Sequence, residues 1–233
     1  MRRIPLTPWL EHLRQHLPLA RSGNDPEGVH QVRVAVRRLR VWLELGGYKT
    51  LEPDLAWLVR GAGGVRDLEV LLGSPDLPKA FRGWAEGRLE EARGQLVPML
   101  DSGRLEGVLQ ALDNLPALEP QAATKRLERF ARRVGRRKSG WEREGSLESL
   151  HALRRALRGL RYAREWLELD TGAVKELQEC FGQVGDYSFI LEHLDAFEAD
   201  GGRVGAAYRR RLVGRLEDAL QAARRVWAKT LGT

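Results

Sequence analysis

The chain holds one cysteine, Cys180, in 233 residues. That excludes an intramolecular disulfide framework and any Cys-rich zinc site. No stretch approaches the roughly 20 consecutive apolar residues that span a bilayer. The opening Met1-Arg2-Arg3-Ile4-Pro5 is basic but has no long apolar run behind it, so a secretory leader is not expected and a cytoplasmic location is. Alternating strand-like runs with hairpin turns are missing, as are a Gly-x-x-x-x-Gly-Lys-Ser/Thr loop, a Gly-x-Ser-x-Gly elbow and a His-Glu-x-x-His pair. His12 and His16 stand at i,i+4, but no Cys or third His follows at zinc-like spacing, so no metal and no cofactor are expected.

Charge is not lacking. Basic residues outnumber acidic ones 39 to 32, the net charge is +7, and 33 of the 39 are Arg. Such a chain tends to bind polyanions: nucleic acid, anionic lipid or a phosphate polymer. Arg also accumulates in GC-rich genomes, so the positions of the arginines must decide. With 42% hydrophobic residues the chain can build a real core.

Apolar residues recur at spacings of three and four throughout, which predicts an all-α fold. Breakers set the helices apart. Ser22-Gly23-Asn24-Asp25-Pro26 ends one and starts the next, with Asp25 as N-cap and Pro26 in the first turn. Gly46-Gly47 ends the second helix, Pro53 opens a third, Gly73-Ser74-Pro75 closes it, and a fourth runs from Pro78 to about Leu100. A short helix over Arg104 to Leu112 follows. Asn114-Leu115-Pro116 and Pro120 then read as a boundary between a first four-helix half, 1–115, and a second, 116–233. The second half is expected to hold helices over Gln121 to Lys138, Leu147 to Leu169, Gly172 to Glu198 and Arg203 to Leu231.

The halves echo each other. VHQVRVAVRRLRVWLE at 29–44 and LHALRRALRGLRYARE at 150–165 are identical at 7 of 16 positions, including His30/His151, Arg33/Arg154, Arg37/Arg158 and Arg40/Arg161. Gly63-Gly64-Val65-Arg66-Asp67 and Gly182-Gln183-Val184-Gly185-Asp186 share Gly-x-Val-x-Asp. A duplicated four-helix unit accounts for both echoes.

On a helix at about 100° per residue, His30, Arg33, Arg37 and Arg40 fall within an arc of about 80° and extend about 15 Å along the axis. His151, Arg154, Arg158 and Arg161 repeat that stripe. Like charges at these spacings repel by roughly 0.2–0.5 kcal/mol per pair, and neither stripe contains an acid. A stripe of this kind serves to face acids elsewhere in the fold or an external polyanion. A solvated basic face is the plain alternative, and the doubling weighs against it. Arg129, Arg132, Arg133 and Arg136 share another face, with Arg126, Arg137 and Lys138 nearby: a rim that steers anions, or a solvated helix face. Arg126, Arg129, Arg133 and Arg66 form a second tier of candidates. Asp67 and Asp186 read as buried carboxylates that fix cationic side chains, and close helix packing would explain Gly63 and Gly182 inside helices, where Gly costs about 1 kcal/mol against Ala.

NDPEGVHQVRVAVRRLR at 24–40 closely resembles the opening signature of CHAD domains, the conserved histidine α-helical domains. LHALRRALRGLRY at 150–162 resembles that family's other histidine motif, VRDLEVLL at 65–72 its Arg-Asp segment, and LDSGRLEGVLQAL at 100–112 the end of its first half. The likeness extends from about Ile4 to Leu231, so the two halves would together form one CHAD domain. It implies two pseudo-symmetric four-helix bundles whose basic helices line a central cavity or pore. It also implies non-catalytic binding of inorganic polyphosphate and association with polyphosphate granules. Carried over by position, the binding residues are His30, Arg33, Arg37, Arg40, His151, Arg154, Arg158 and Arg161. Arg158 stands where the family commonly has Lys, and Gly185 where the first half has Arg66.

Arg forks suit successive phosphates, and a histidine beside a phosphate chain shifts toward its charged form. Affinity is therefore expected to weaken between roughly pH 6 and 8 and to fall with salt. The expected partners are inorganic polyphosphate and a polyphosphate-metabolising enzyme, with no membrane. Two alternatives stay open. One is RNA or other nucleic acid, although Trp42 and Tyr162 adjoin the stripes without forming a stacking platform. The other is a role accessory to a (tri)polyphosphate-hydrolysing enzyme, since CHAD domains occur fused to CYTH domains; the stripes themselves lack the carboxylates that hold catalytic cations.

Overall fold

The computed structural model describes residues 2–231, with the side chains of Cys180 and 228–231 outside that description. Among the described residues there is no strand, only an isolated antiparallel bridge between Ile4 and Leu118. The helices are α1 (Thr7–Ser22), α2 (Pro26–Gly46), α3 (Glu52–Leu72), α4 (Lys79–Leu100), α5 (Gly103–Asp113), α6 (Pro120–Glu144), α7 (Leu147–Trp166), α8 (Gly172–Cys180), α9 (Gly182–Ala199) and α10 (Ala206–Leu231).

Local chemistry sets these limits. Gly23, at φ 67°, closes α1 with its N–H donating to Leu19 O. Asp25 caps α2, its carboxylate accepting from Glu27 N at 2.8 Å, with Pro26 next in line. Gly47, at φ 78°, ends α2, and Tyr48 N–H reaches back to Leu43 O at 2.9 Å. Ser146 caps α7 by accepting from Ser149 N. Limits differ from those read in the sequence at four places, one of them the start of α10, at Ala206 rather than Arg203. The helix α6 continues through Gly140 to Glu144. The helix α7 stops at Trp166, with Glu168 at φ 54° in the turn behind it. The single helix expected over Gly172 to Glu198 is two, α8 and α9, broken at Phe181. There the backbone leaves the helical path and the Phe181 ring is fully buried against Trp141 and Trp227, with ring centroids 5.3 and 5.5 Å away.

The chain forms two compact units, residues 1–77 with 82–127, and residues 78–81 with 128–233. In the first, α2 packs between α1 and α3. Leu10 and Leu13 of α1, Val29, Val32, Val36, Leu39 and Trp42 of α2, and Leu55, Leu58 and Val65 of α3 are buried together at helical spacing. Trp42 stacks on Tyr48 and donates its indole N–H to Ile4 O at 3.1 Å. In the second unit Leu150, Leu153 and Leu157 of α7 join Trp141, Phe181, Val184, Leu216 and Trp227 in one cluster. Phe81 belongs to this unit because its buried ring packs on Phe197 at 5.3 Å. Each histidine helix thus gives one face to a core and leaves its cationic face half-buried.

Candidate anion-binding site

In the first unit the apolar stripe of α2 fixes that helix in rotation, so His30, Arg33, Arg37 and Arg40 emerge on one side, all half-buried. Their supports come from α3. Arg33, only 13% exposed, donates from Nη1 to Asp67 Oδ1 at 2.7 Å and to Gly63 O at 3.2 Å. Arg40 pairs with Glu52 through both Nε and Nη2. Arg66 lies 3.6 Å from Glu69, whose carboxylate is 3% exposed and is shared with Arg93 at 3.2 Å. The His30 imidazole is held below the ordinary histidine range, first by burial and then by the charge of Arg66; Arg33 and Arg37 add to this, and Glu27 opposes it. Arg66 therefore belongs with the stripe.

In the second unit His151, Arg154, Arg158 and Arg161 repeat the arrangement on α7, again half-buried, with different supports. His151 Nε2 is 3.2 Å from Ser188 Oγ and 4.0 Å from a Glu192 carboxylate oxygen. Ser188 Oγ donates to Gly185 O at 3.1 Å, so its single proton is used and it accepts from His151 Nε2–H. Burial lowers the His151 pKa most; Glu192 opposes this, and Arg154 and Arg155 add to it. Arg161 Nε sits 3.3 Å from Glu165 of its own helix.

Arg154 lies directly over Gly185. A Cβ built at that glycine would fall 1.5 Å from Nη1, so the missing side chain makes the space for the guanidinium. Among the described residues, the buried Arg154 Nε finds no hydrogen-bond partner.

Several readings change. Asp67 does hold a cation, but it is not a buried carboxylate, since its side chain is 46% exposed; Asp186 is exposed as well. Gly63 and Gly182 are not explained by close packing, because a Cβ at either would meet nothing within 4 Å. Arg126 is engaged as a structural cap. It donates to Leu45 O at 3.2 Å at the C-terminal end of α2, beneath Gly47, where any Cβ would strike its guanidinium. Arg133 lies over the Phe130 ring at 5.2 Å, and Arg129 is exposed.

Glu52, Glu69, Arg93, Ser188 and Glu192 escaped the sequence reading. A signal existed for one pair: the offset that aligns Asp67 with Asp186 also aligns Glu69 with Ser188.

The His12 and His16 rings lie tilted against each other with centroids 4.3 Å apart, His12 bonding to Gln31 and His16 to the His12 carbonyl. Among the described residues, no group of three or more His, Cys, Asp or Glu is placed to hold a metal ion, and no helix is long and apolar enough to cross a membrane.

The solved structure of the CHAD domain from the plant Ricinus communis is similar to this chain, with a TM-score of 0.69 and 20% identity, over 93% of this chain and 83% of that one. PptA from Streptomyces chartreusis is similar with a TM-score of 0.68 and 18% identity, over 99% of this chain and 97% of that one. At such identities the likeness is one of fold. No match is found among curated proteins. The CHAD domain family model matches residues 6–169, which is well over half of the sequence and takes in both histidine motifs. The chain belongs to the CHAD domain family.

Proposed function

We propose that this CHAD domain binds inorganic polyphosphate through its His/Arg stripes, without catalysis of its own. The observation that carries this reading is the crowding of positive charge on each stripe. Burial and three arginines together hold His30 below its ordinary range, and Arg154 keeps a buried Nε with no hydrogen-bond partner among the described residues. A protein selected for stability alone gains nothing from such a cluster. An anion with regularly spaced oxygens would relieve it, through charge-assisted and often bidentate hydrogen bonds. Neither stripe offers a row of aromatic rings, so charge and length would be read rather than bases.

The test is a binding titration of the full chain against polyphosphates of graded length, with the double variant Arg37→Glu, Arg158→Glu as control. Affinity should rise with chain length and drop at least tenfold in the variant. Normal binding by a folded variant would overturn the assignment. RNA of equal charge should compete poorly, and incubation with Mg²⁺ or Mn²⁺ should release no phosphate. In cells the protein should collect on polyphosphate granules, where it would protect the polymer or recruit a polyphosphate-metabolising enzyme.

A further inference from the structure

A second cationic feature lies on another face of the second unit. The turn at Gly145 joins α6 to α7, and a cavity of about 340 Å³ opens beside it, lined by Arg136, Arg137 and Arg143 of α6 and by Glu148, Ser149 and Arg155 of α7. Its volume is at the small end of ligand sites. Positions 148, 149, 152 and 155 centre about 130° around α7 from the middle of the His151 stripe at helical spacing; Arg155, about 40° from His151, stands at the edge between the two and adds to the charge that lowers the His151 pKa.

Four guanidinia face it against two carboxylates, and one of these, Glu144, is already paired with Arg143 at 2.7 Å. Arg136, Arg137 and Arg155 make no hydrogen bond or ion pair among the described residues. The N-terminus of α7 adds to the field. Ser146 Oγ satisfies Ser149 N, while the first-turn N–H groups of Leu147 and Glu148 have no intrahelical acceptor. A Cβ at Gly145 would come within 3.5 Å of Arg224, a further cation at the same corner. The remaining lining is Gly140 and Ala152, with no aromatic ring. Nothing there grips a base or a sugar; only charge and N–H donors are offered.

We propose that this corner is a second anion site, beside the His151 stripe but centred on another face of α7, which takes the phosphate groups of inorganic phosphate or a short oligophosphate.

Gly140 supplies a clean test, because a Cβ there meets nothing within 4 Å and replacing Gly within a helix favours folding. Gly140→Glu would place a carboxylate in the cavity. Tripolyphosphate would be titrated by calorimetry into the full-length wild type, Gly140→Glu, Arg136→Gln/Arg155→Gln, and the stripe variant Arg37→Glu/Arg158→Glu. The stripe variant should still bind about one tripolyphosphate per chain, with the amide resonances of Leu147 and Glu148 shifting. Adding Gly140→Glu or the Arg136/Arg155 pair to it should weaken that binding at least tenfold. Loss of all binding in the stripe variant alone would overturn the second site, and so would an affinity indifferent to Gly140→Glu. Failure of the stripes to bind polymer would leave this result untouched, so the two readings fail separately.

Discussion

Asp67 separates a cation that is merely held from a cation that is held back. Its carboxylate accepts from Arg33 Nη1 at 2.7 Å, with 46% of its side chain open to solvent. Replacing it with Asn keeps an oxygen in the same place to accept that hydrogen bond, so Arg33 stays oriented while one negative charge disappears. A polyphosphate drawn to Arg33 would no longer compete with Asp67 or be repelled by it. Two unit charges about 4 Å apart interact by about 1 kcal/mol in water and several times more in a drier setting. At this exposure solvent screening keeps the figure near the lower value. Asp67→Asn should therefore tighten polyphosphate binding by about fivefold, since about 1 kcal/mol corresponds to that ratio. It should cost no more than about 1 kcal/mol of folding stability, the worth of a half-exposed pair. Calorimetric titration at low salt gives the first number and urea unfolding the second. The gain should shrink as salt is added. Weaker binding by a folded Asp67→Asn protein would show that the carboxylate's charge is needed to present Arg33, and the competition argument would fall.

Glu69→Gln should be more damaging: a carboxylate with 3% of its side chain exposed serves both Arg66 and Arg93, and removing it leaves crowded guanidinia uncompensated, at about 2–4 kcal/mol in urea unfolding. Leu153→Ala, in the core of the second unit, should cost about 2–5 kcal/mol. Because both stripe histidines are held below their ordinary value in the free protein, the unfolded chain takes up protons first. Stability is then full above the ordinary histidine pKa of about 6.5 and declines as pH falls through the folded values; thermal melts across that range should show a decline that His30→Gln, His151→Gln abolishes. Binding has its own sign. A phosphate chain raises the histidine pKa values above those of the free protein, so complex formation takes up protons, and affinity falls as pH rises by at most about tenfold per pH unit per histidine. A flat titration between pH 6 and 8 would remove the histidines from the binding account.

Much of this fold was legible because it is helical and punctuated. Asp25, Pro26, Gly23 and Gly47 act through local backbone chemistry, which sequence displays directly, and their helix ends fall where the residues place them. The break at Phe181 was hidden because its cause is distant. The ring is buried between Trp141 and Trp227, some 40 residues before and after it, and no capping residue marks the spot. The stripes were legible for the same reason as the helices, since 3.6-residue periodicity alone puts four residues on one side. Their partners were not. Asp67 alone was read as holding a cation, without its partner Arg33; Glu52 and Glu69 reach α2 or its neighbours only once α3 folds back against α2, and nothing in a one-dimensional pattern tells an acid that will bond a particular Arg from one that faces water. Arg126 shows the converse error. Counted among anion-steering cations by its charge, it is held by the Leu45 carbonyl beneath Gly47.

The two halves carry the same cations at the same spacing in different surroundings. In the first half, acids on α3 offset Arg33 and Arg40, and Arg66 is added beside His30. In the second, the position of Arg66 is Gly185, whose bare backbone admits the Arg154 guanidinium, and the position of Glu69 is Ser188, which contacts His151 instead of pairing two arginines. An added Arg at one site and a glycine that makes room for an existing Arg at the other are different routes to a concentrated positive charge beside a histidine. Relative to the first half, the second lacks one arginine and one acid, so its charge balance is kept while Arg154 and Arg155 still crowd His151.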